Sequence, residues 1–408
     1  MVKRLRRRPL TAESGVRFPM RVPNLKILCL KDFFCYNFQE EENMIKPDFQ
    51  NGLINLSATL SNFVGARTNV PTLKELEEEL KKEKKDVVFI IFDGLGVYNV
   101  ENFSKKDSFY KNHIVLKISS NLPPTTTSAT TTLISGKYPD EHLFLAWTLY
   151  LKKQKRVVEL YTSKDYYSKE IVLPYLQKVG CFLDEAKTDR KIYTIGPSYL
   201  SYSKKIGHIV ANTTEELFLK INEVLKEKEK HFLYCYCSEP DYTMHEFGVK
   251  SKEAQEKFNS IVAGLKNLVS SNKDVLFLTT ADHGHVDIKE YLEFDEELAS
   301  LLSRPLSMEP RFVSFKIKFG KKGKFKKLFN EKFGRYFDLI SQKEAIRQKI
   351  FGNGKNLRKL KNFIGDFIAV GNEEFVAFNI NNSPSPLKGH HSGGTKEEII
   401  VPVCVFEC

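Results

Sequence analysis

The stretch DVVFIIFDGLG, residues 86–96, constrains this chain more than any other. Val87–Phe92 are six consecutive apolar residues, four of them β-branched, and the run stops abruptly at Asp93-Gly94. A strand with one wet face alternates apolar and polar side chains. A continuous run needs cover on both faces, which is the condition of a parallel strand inside an α/β sheet. Similar runs recur as HIVLKIS (113–119), KIYTIG (191–196), HFLYCYC (231–237), VLFLTT (275–280), EFVAFNI (374–380) and IIVPVCVF (399–406). The gaps hold amphipathic helical patterns, TTEELFLKINEVLKEKEK (213–230) and SKEAQEKFNSIVAGLKNLVSS (251–271), and PTLKELEEELKKEKK (71–85) reads as a surface helix. Strands alternating with helices predict an α/β fold: a mostly parallel sheet with helices on both faces.

Residues 286–374 break this rhythm. They are rich in Lys, Phe and Glu, and RFVSFKIKFGKKGKFKKLFNEKFGRYF (311–337) is their most unusual part. Roughly 300–365 is expected to form an inserted α+β cap of one hairpin or strand plus helices, its lysine run 316–327 a solvated face.

The formal charge of +12 suggests nucleic acid as a partner, but its distribution argues against that. The first 31 residues hold nine Lys and Arg against Glu13, a net of +8, which leaves +4 for the remaining 377. Residues 1–43 are therefore expected to be a basic, disordered tail ahead of a domain spanning 44–408, and no specific nucleic-acid binding is expected of that domain. No apolar run is long enough to span a membrane. Seven cysteines without paired CxxC motifs exclude a zinc-thiolate site and suit a reducing, cytoplasmic setting. Cys235 and Cys237, inside an apolar run, read as buried strand residues.

Ligands of open α/β sheets gather where strands end. DVVFIIF ends at Asp93; HFLYCYC leads to Asp241 and His245; VLFLTT leads to Asp282, His283 and His285; His390 and His391 precede the last strand. Five of the nine histidines thus stand beside acids at strand termini. Aspartate and histidine without thiolate suit Zn²⁺ or Mn²⁺. So many ligands exceed one tetrahedral site and suit two cations, roughly 3.5–4 Å apart in two-metal hydrolases. Such a centre can activate a hydroxyl, which gives PPTTTSATTTLISG (123–136) a second reading beyond a polar loop.

Together these residues resemble the alkaline phosphatase superfamily, and within it the type I phosphodiesterase/nucleotide pyrophosphatase branch. FDGLG resembles the first metal-aspartate motif. TTTSATTTLISGKYPDEH resembles the nucleophile segment, DYTMHEFG the Asp-x-x-x-His-x-x-Gly motif, ADHG the Asp-His-Gly motif, and HSGGTKEEIIVP the C-terminal histidine motif. The resemblance covers roughly 44–408 and implies an alkaline-phosphatase-like fold and two divalent cations, Zn first and Mn second. Asp93, Asp282 and His283 would hold one together with Thr126; Asp241, His245 and His391 would hold the other. His391 is preferred to His390 because it stands four residues before Thr395, and His285 stays outside both sets. Counting ten residues back from Gly136 places the nucleophile at Thr126, with Thr125 and Thr127 as alternatives. The implied reaction hydrolyses a small phosphodiester or phosphoanhydride of nucleotide type through a covalent phospho- or nucleotidyl-enzyme. Alternatives are a phosphomonoesterase, phosphonate hydrolase or phosphomutase of the same superfamily, or a non-catalytic protein binding nucleic acid or membrane. The sequence departs from the pattern at Trp147, where nucleotide pyrophosphatases carry an Asn that holds a phosphoryl oxygen.

Overall fold

The computed structural model describes residues 44–408 except 83, 106, 173–178, 201–202, 204, 381–382 and 385. The expected basic tail, residues 1–43, lies outside the described residues. A seven-stranded sheet organises the rest. Its strands in chain order are β1 (Asp86–Phe92), β2 (Ile114–Ser119), β3 (Lys191–Gly196), β4 (Gly207–Val210), β5 (His231–Cys237), β6 (Val275–Thr280) and, at the C-terminus, β11 (Ile400–Phe406). Their spatial order is β2-β11-β6-β1-β5-β3-β4. The pairs of β1 with β5 and β6, and of β3 with β4 and β5, are parallel; β11 runs antiparallel to β2 and β6. The sheet is mostly parallel, as the continuous runs predicted. Every residue of β1, β5 and β6 is buried, Cys235 and Cys237 among them.

Helices cover both faces, among them α1 (Leu53–Phe63), α2 (Thr126–Ser135), α3 (Thr214–Leu225), α4 (Asp241–Phe247) and α5 (Lys252–Ser271). Thr213 and Ser251 start α3 and α5 by accepting the backbone N–H of Glu216 and Ala254, which satisfies donors that the helix itself cannot. Helix α5 buries Phe258, Ile261, Val262, Leu265, Leu268 and Val269, one stripe at helical spacing.

The cap segment holds more strand than one hairpin. β7 (Ser307–Glu309), β8 (Phe312–Phe315), β9 (Phe337–Ser341) and β10 (Phe367–Gly371) form a separate antiparallel sheet in the order β7-β8-β10-β9, with α6 (Lys322–Phe333) packed on it. Phe325, Phe329 and Phe333 repeat every four residues, so α6 turns one aromatic edge inward onto Phe315, Phe367 and Phe378. The lysines between them lie on the exposed face, as expected, and Lys322 and Lys316 pair with Asp366. Helix and strand share the same Phe-rich composition here, so the short apolar runs of this region do not distinguish the two. No helix among the described residues is long and apolar enough to cross a membrane.

Phe329 is fully buried at the centre of the cap cluster. Phe329→Ala should lower stability by about 3–5 kcal/mol, read from urea unfolding; a loss below about 1 kcal/mol would contradict this packing.

Candidate metal centre

The carboxyl ends of β1, β5 and β6 meet at one edge, and the backbone locks them together. The Asp93 N–H donates to Cys237 O at 2.9 Å, the Asp241 N–H to Asp93 O at 3.1 Å, and the Gly94 N–H to Asp282 Oδ1 at 3.1 Å. Gly94 has φ +72°, and a Cβ there would stand 2.9 Å from the Asp241 Cβ, so the Asp-Gly turn needs its glycine. At Gly284 a Cβ would lie 1.9 Å from Glu397 O, which explains the glycine of ADHG.

Two groups of side chains result. Asp93, Asp282 and His283 form one, and Asp241, His245 and His391 the other; within each, the donor atoms lie within 4.8 Å of one another. In the first, His283 Nε2 is 3.3 Å from Asp93 Oδ1 and 3.5 Å from Asp282 Oδ2. Thr126 Oγ1 is 3.2 Å from His283 Nε2 and 3.4 and 3.5 Å from the Asp93 oxygens. In the second, His245 Nε2 is 3.3 Å from Asp241 Oδ2. The groups adjoin, because the His283 and His391 rings stack at 3.8 Å.

These spacings fit cations. Four ligands at about 2.0–2.1 Å around a tetrahedral ion stand about 3.3–3.4 Å from one another. That is longer than a strong hydrogen bond and matches the contacts here. Asp241 Oδ1 and Asp282 Oδ2 are buried and accept no hydrogen bond among the described residues, a state that an ion would relieve. The imidazoles are turned correctly as well. Nδ1–H of His245, His283 and His391 donates to the carbonyls of Gly389, Gly284 and Pro124 at 2.9, 3.1 and 2.9 Å, leaving each Nε2 lone pair for a ligand. Burial brings the His245 pKa down to about 4 and that of His391 well below the ordinary value, so both rings are neutral, the ligating form. Burial, followed by the Asp282 and Asp241 charges, pushes the Asp93 carboxyl well above the carboxylate range, while the Tyr236 hydroxyl, donating to it, opposes that rise. His390 belongs to neither group: its Nδ1 lies 2.9 Å from the His391 N and 3.0 Å from the His391 O, although its ring stands 5.2 Å from that of His245.

The threonine run separates clearly. Thr125 Oγ1 donates to Glu309 at 2.7 Å, and Thr130 and Thr131 donate to the carbonyls of Thr126 and Thr127. Thr132 is held by His142 and Asn121. Thr127 is buried with its hydroxyl unpartnered among the described residues. Thr126, the first residue of α2, is only partly buried, and its hydroxyl faces Asp93 and His283.

Three residues that sequence reasoning did not single out complete the surroundings. Glu309, from the end of β7, places Oε1 2.7 Å from Thr125 Oγ1 and 2.6 Å from the Trp147 N, accepting both protons. Its burial pushes its pKa up to about 7. Arg311 and Glu398 form a fully buried pair, Nε to Oε1 at 2.8 Å and Nη2 to Oε2 at 2.9 Å. Arg311 also donates to the carbonyls of Val376 and Asn372, while Glu398 accepts from the Gly393 N–H and the Thr395 hydroxyl. The pair clamps the cap to the loop that carries His391. A glutamate and an arginine two residues apart inside the apolar LSMEPRFVSF (306–315) were the available signal.

A mostly parallel sheet with paired Asp/His groups beside a helix-start threonine defines a member of the alkaline phosphatase superfamily. The sequence profile of the type I phosphodiesterase/nucleotide pyrophosphatase family matches residues 87–394, and the chain belongs to that family. No curated protein sequence matches the chain. Among solved structures, murine ectonucleotide pyrophosphatase/phosphodiesterase 5 is similar with a TM-score of 0.57 at 17% identity, covering 80% of this chain and 88% of that one. Phosphonoacetate hydrolase from Sinorhizobium meliloti 1021, in complex with phosphonoformate, gives 0.57 at 14%, covering 78% and 89%. The human ectonucleotide pyrophosphatase/phosphodiesterase 5 gives 0.53 at 15%, covering 80% and 88%. At such identities the likeness concerns the fold; with the family it supports phosphoester hydrolysis.

Arg311→Met strands the Glu398 carboxylate and should cost about 3–5 kcal/mol in denaturant unfolding. Adding Glu398→Leu should recover part of that loss, the remainder reflecting the Gly393 N–H and Thr395 hydroxyl left without their acceptor; a single variant as stable as the wild type would contradict the clamp.

Proposed function

We propose that this chain is a two-cation phosphohydrolase that cleaves phosphodiester or phosphoanhydride bonds of nucleotide type, with Thr126 as nucleophile. One observation carries the reading: of six threonines in the run, Thr126 alone offers a partly accessible hydroxyl to Asp93 and His283. Asp93, Asp282 and His283 with Thr126 would hold one divalent cation, and Asp241, His245 and His391 the other. Zinc is the first choice for an Asp/His donor set, manganese the second. When bound, the cations would neutralise phosphoryl charge and favour the ionised hydroxyl.

The chain's own residues then do the rest. Thr126 would lose its hydroxyl proton to solvent water and attack phosphorus in line, forming the Thr126 O–P bond as the bond to the leaving oxygen breaks and that oxygen takes up a proton from water. Backbone N–H groups in the first turn of α2, which Thr126 starts, would face the phosphoryl oxygens. Water attacks the phosphothreonine in the second step and restores the free hydroxyl. One similar structure, at 17% identity and a TM-score of 0.55, is an inactive threonine-to-alanine variant of the murine protein in complex with AMP, which supports both the threonine and a nucleotide-type ligand.

Glu309 favours diesters. Its carboxylate sits beside Thr125, one residue from the nucleophile, and occupies the N–H of Trp147. Above about pH 7, where Glu309 ionises despite its burial, a monoester brings a second negative charge toward its carboxylate, whereas a diester brings one.

Thr126→Ala should reduce bis-p-nitrophenyl phosphate turnover by roughly a thousandfold or more while metal content stays unchanged. Retained turnover would remove Thr126 from the mechanism. Glu309→Gln keeps the acceptor oxygen for Thr125 and Trp147 but removes the charge. It should raise the ratio of p-nitrophenyl phosphate to diester kcat/KM by roughly tenfold, and an unchanged ratio would refute the role given to Glu309.

A further inference from the structure

Every phenylalanine of the cap segment 300–365 is buried except one. Phe319 is fully exposed, more so than any other large apolar side chain among the described residues. It sits between β8 and α6, at the second position of a tight turn. The Lys321 N–H donates to Lys318 O at 3.1 Å, and Gly320, third in the turn, has φ +73°. This hydrogen bond and the left-handed glycine are those of a type II turn. The turn is anchored on both sides. The Lys318 N–H donates to Leu301 O at 2.8 Å and the Lys318 ammonium to Ser300 O at 2.7 Å. The Ile317 N–H donates to Asp366 Oδ2 at 2.9 Å, and the Phe325 N–H to Lys321 O at 2.9 Å as α6 begins. A Cβ added at Gly320 or Gly323 would meet nothing within 4 Å, so the turn stands clear of the cap.

A lone exposed apolar side chain needs no explanation by itself. This one stands among charges of a single sign. Residues 316–327 hold seven lysines and no acid. Three carboxylates reach them: Asp366 pairs with Lys316 and Lys322, Glu297 pairs with Lys324, and Glu331 lies 3.9 Å from Lys327. Lys321 and Lys326 make no ion pair or side-chain hydrogen bond among the described residues. The Lys318 ammonium is held by a carbonyl, which leaves its charge uncompensated. A surplus of positive charge thus surrounds an aromatic ring held out by an ordered turn.

We propose that this turn docks the protein on an anionic phospholipid surface. Phe319 enters the boundary between headgroups and acyl chains, and the lysines face the negative headgroups. Peripheral binding of this kind adds burial of apolar surface to attraction by a negative leaflet. Each lysine near such a surface strengthens binding about fivefold. Because the turn is already ordered, docking has to fix side chains and not a loop. Single-stranded nucleic acid is the competing polyanion, but it binds along grooves in which successive aromatic rings stack on successive bases. A convex turn with one exposed ring, and with no arginine in 316–327, fits a flat surface better.

The test sediments the full chain with vesicles of phosphatidylcholine, with and without phosphatidylserine. The wild type should favour the vesicles that contain phosphatidylserine. Phe319→Ser should weaken that binding roughly tenfold or more. The double variant Lys321→Gln, Lys326→Gln should also weaken it roughly tenfold or more. Urea unfolding midpoints should stay at the wild-type value, because these side chains are exposed. Vesicle binding unchanged in both variants would assign the affinity to the basic residues 1–31 and overturn the proposal. Phe319→Trp gives a direct reading. Trp147 is the only tryptophan of the chain, so the wild type supplies the background. The added indole should shift its emission to the blue on phosphatidylserine vesicles and be quenched by lipids brominated in their acyl chains. No added quenching would sink the proposal. A single-stranded oligonucleotide whose binding needs Phe319 and these lysines, while vesicle binding does not, would replace the lipid surface with nucleic acid.

Discussion

Three aspartates converge at one edge of the sheet, and their mutual repulsion is the constraint around which the molecule is built. Asp93, Asp241 and Asp282 are each at least nine-tenths buried. Burial and the other two carboxylates both resist ionisation of Asp93. Such a cluster persists only when opposite charge is close or protons neutralise it. Tyr236 supplies one hydrogen bond to Asp93, and the nearby imidazoles of His245, His285 and His391 are held neutral by burial, so they bring no positive charge. Divalent cations fit the remaining deficit in charge and in unsatisfied oxygens.

The rest of the fold holds that arrangement against its own repulsion. Parallel pairing of β1 with β5 and β6 fixes the three strand ends relative to one another, and β11 adds the antiparallel strand that returns from His391. The turn glycines at Gly94 and Gly284 allow the backbones to approach closely enough for the side chains to meet. The cap contributes from outside the sheet. Its Glu309 fixes Thr125, the residue that starts α2, and its Arg311 fixes the loop of Gly393–Glu398. Cap and strand edge are therefore tied together at two points, Glu309 with Thr125 and Arg311 with Glu398.

What could be read from the sequence follows from how local each signal is. The sheet was legible because a strand covered on both faces writes its burial into consecutive residues, as Val87–Phe92 and Val275–Thr280 do. The Asp/His groups were legible because Asp93, Asp241, Asp282 and His283 follow their strands within a few residues and His245 and His391 stand in recognisable motifs near strand ends, and the structure brings Asp93, Asp282 and His283, and Asp241, His245 and His391, into two groups. Choosing Thr126 within a run of threonines took more than the run itself, since Thr130 and Thr131 differ from it only in what their hydroxyls meet across one helical turn. Glu309 and Arg311 were not legible. Each depends on a partner far along the chain: Arg311 on Glu398, Glu309 on Thr125 and Trp147. No local periodicity records such pairings. The cap strands were blurred for a related reason, because Phe-rich segments satisfy helical and extended patterns equally.

The central claim is that the two Asp/His groups are cation sites whose occupancy turnover requires. The most direct measurement is elemental analysis of the purified chain combined with diesterase assay before and after exhaustive chelation. The account predicts about two divalent ions per chain, loss of activity on their removal, and recovery when zinc or manganese is returned. A chain that holds no divalent ion and hydrolyses the diester equally well in the presence of chelator would contradict it.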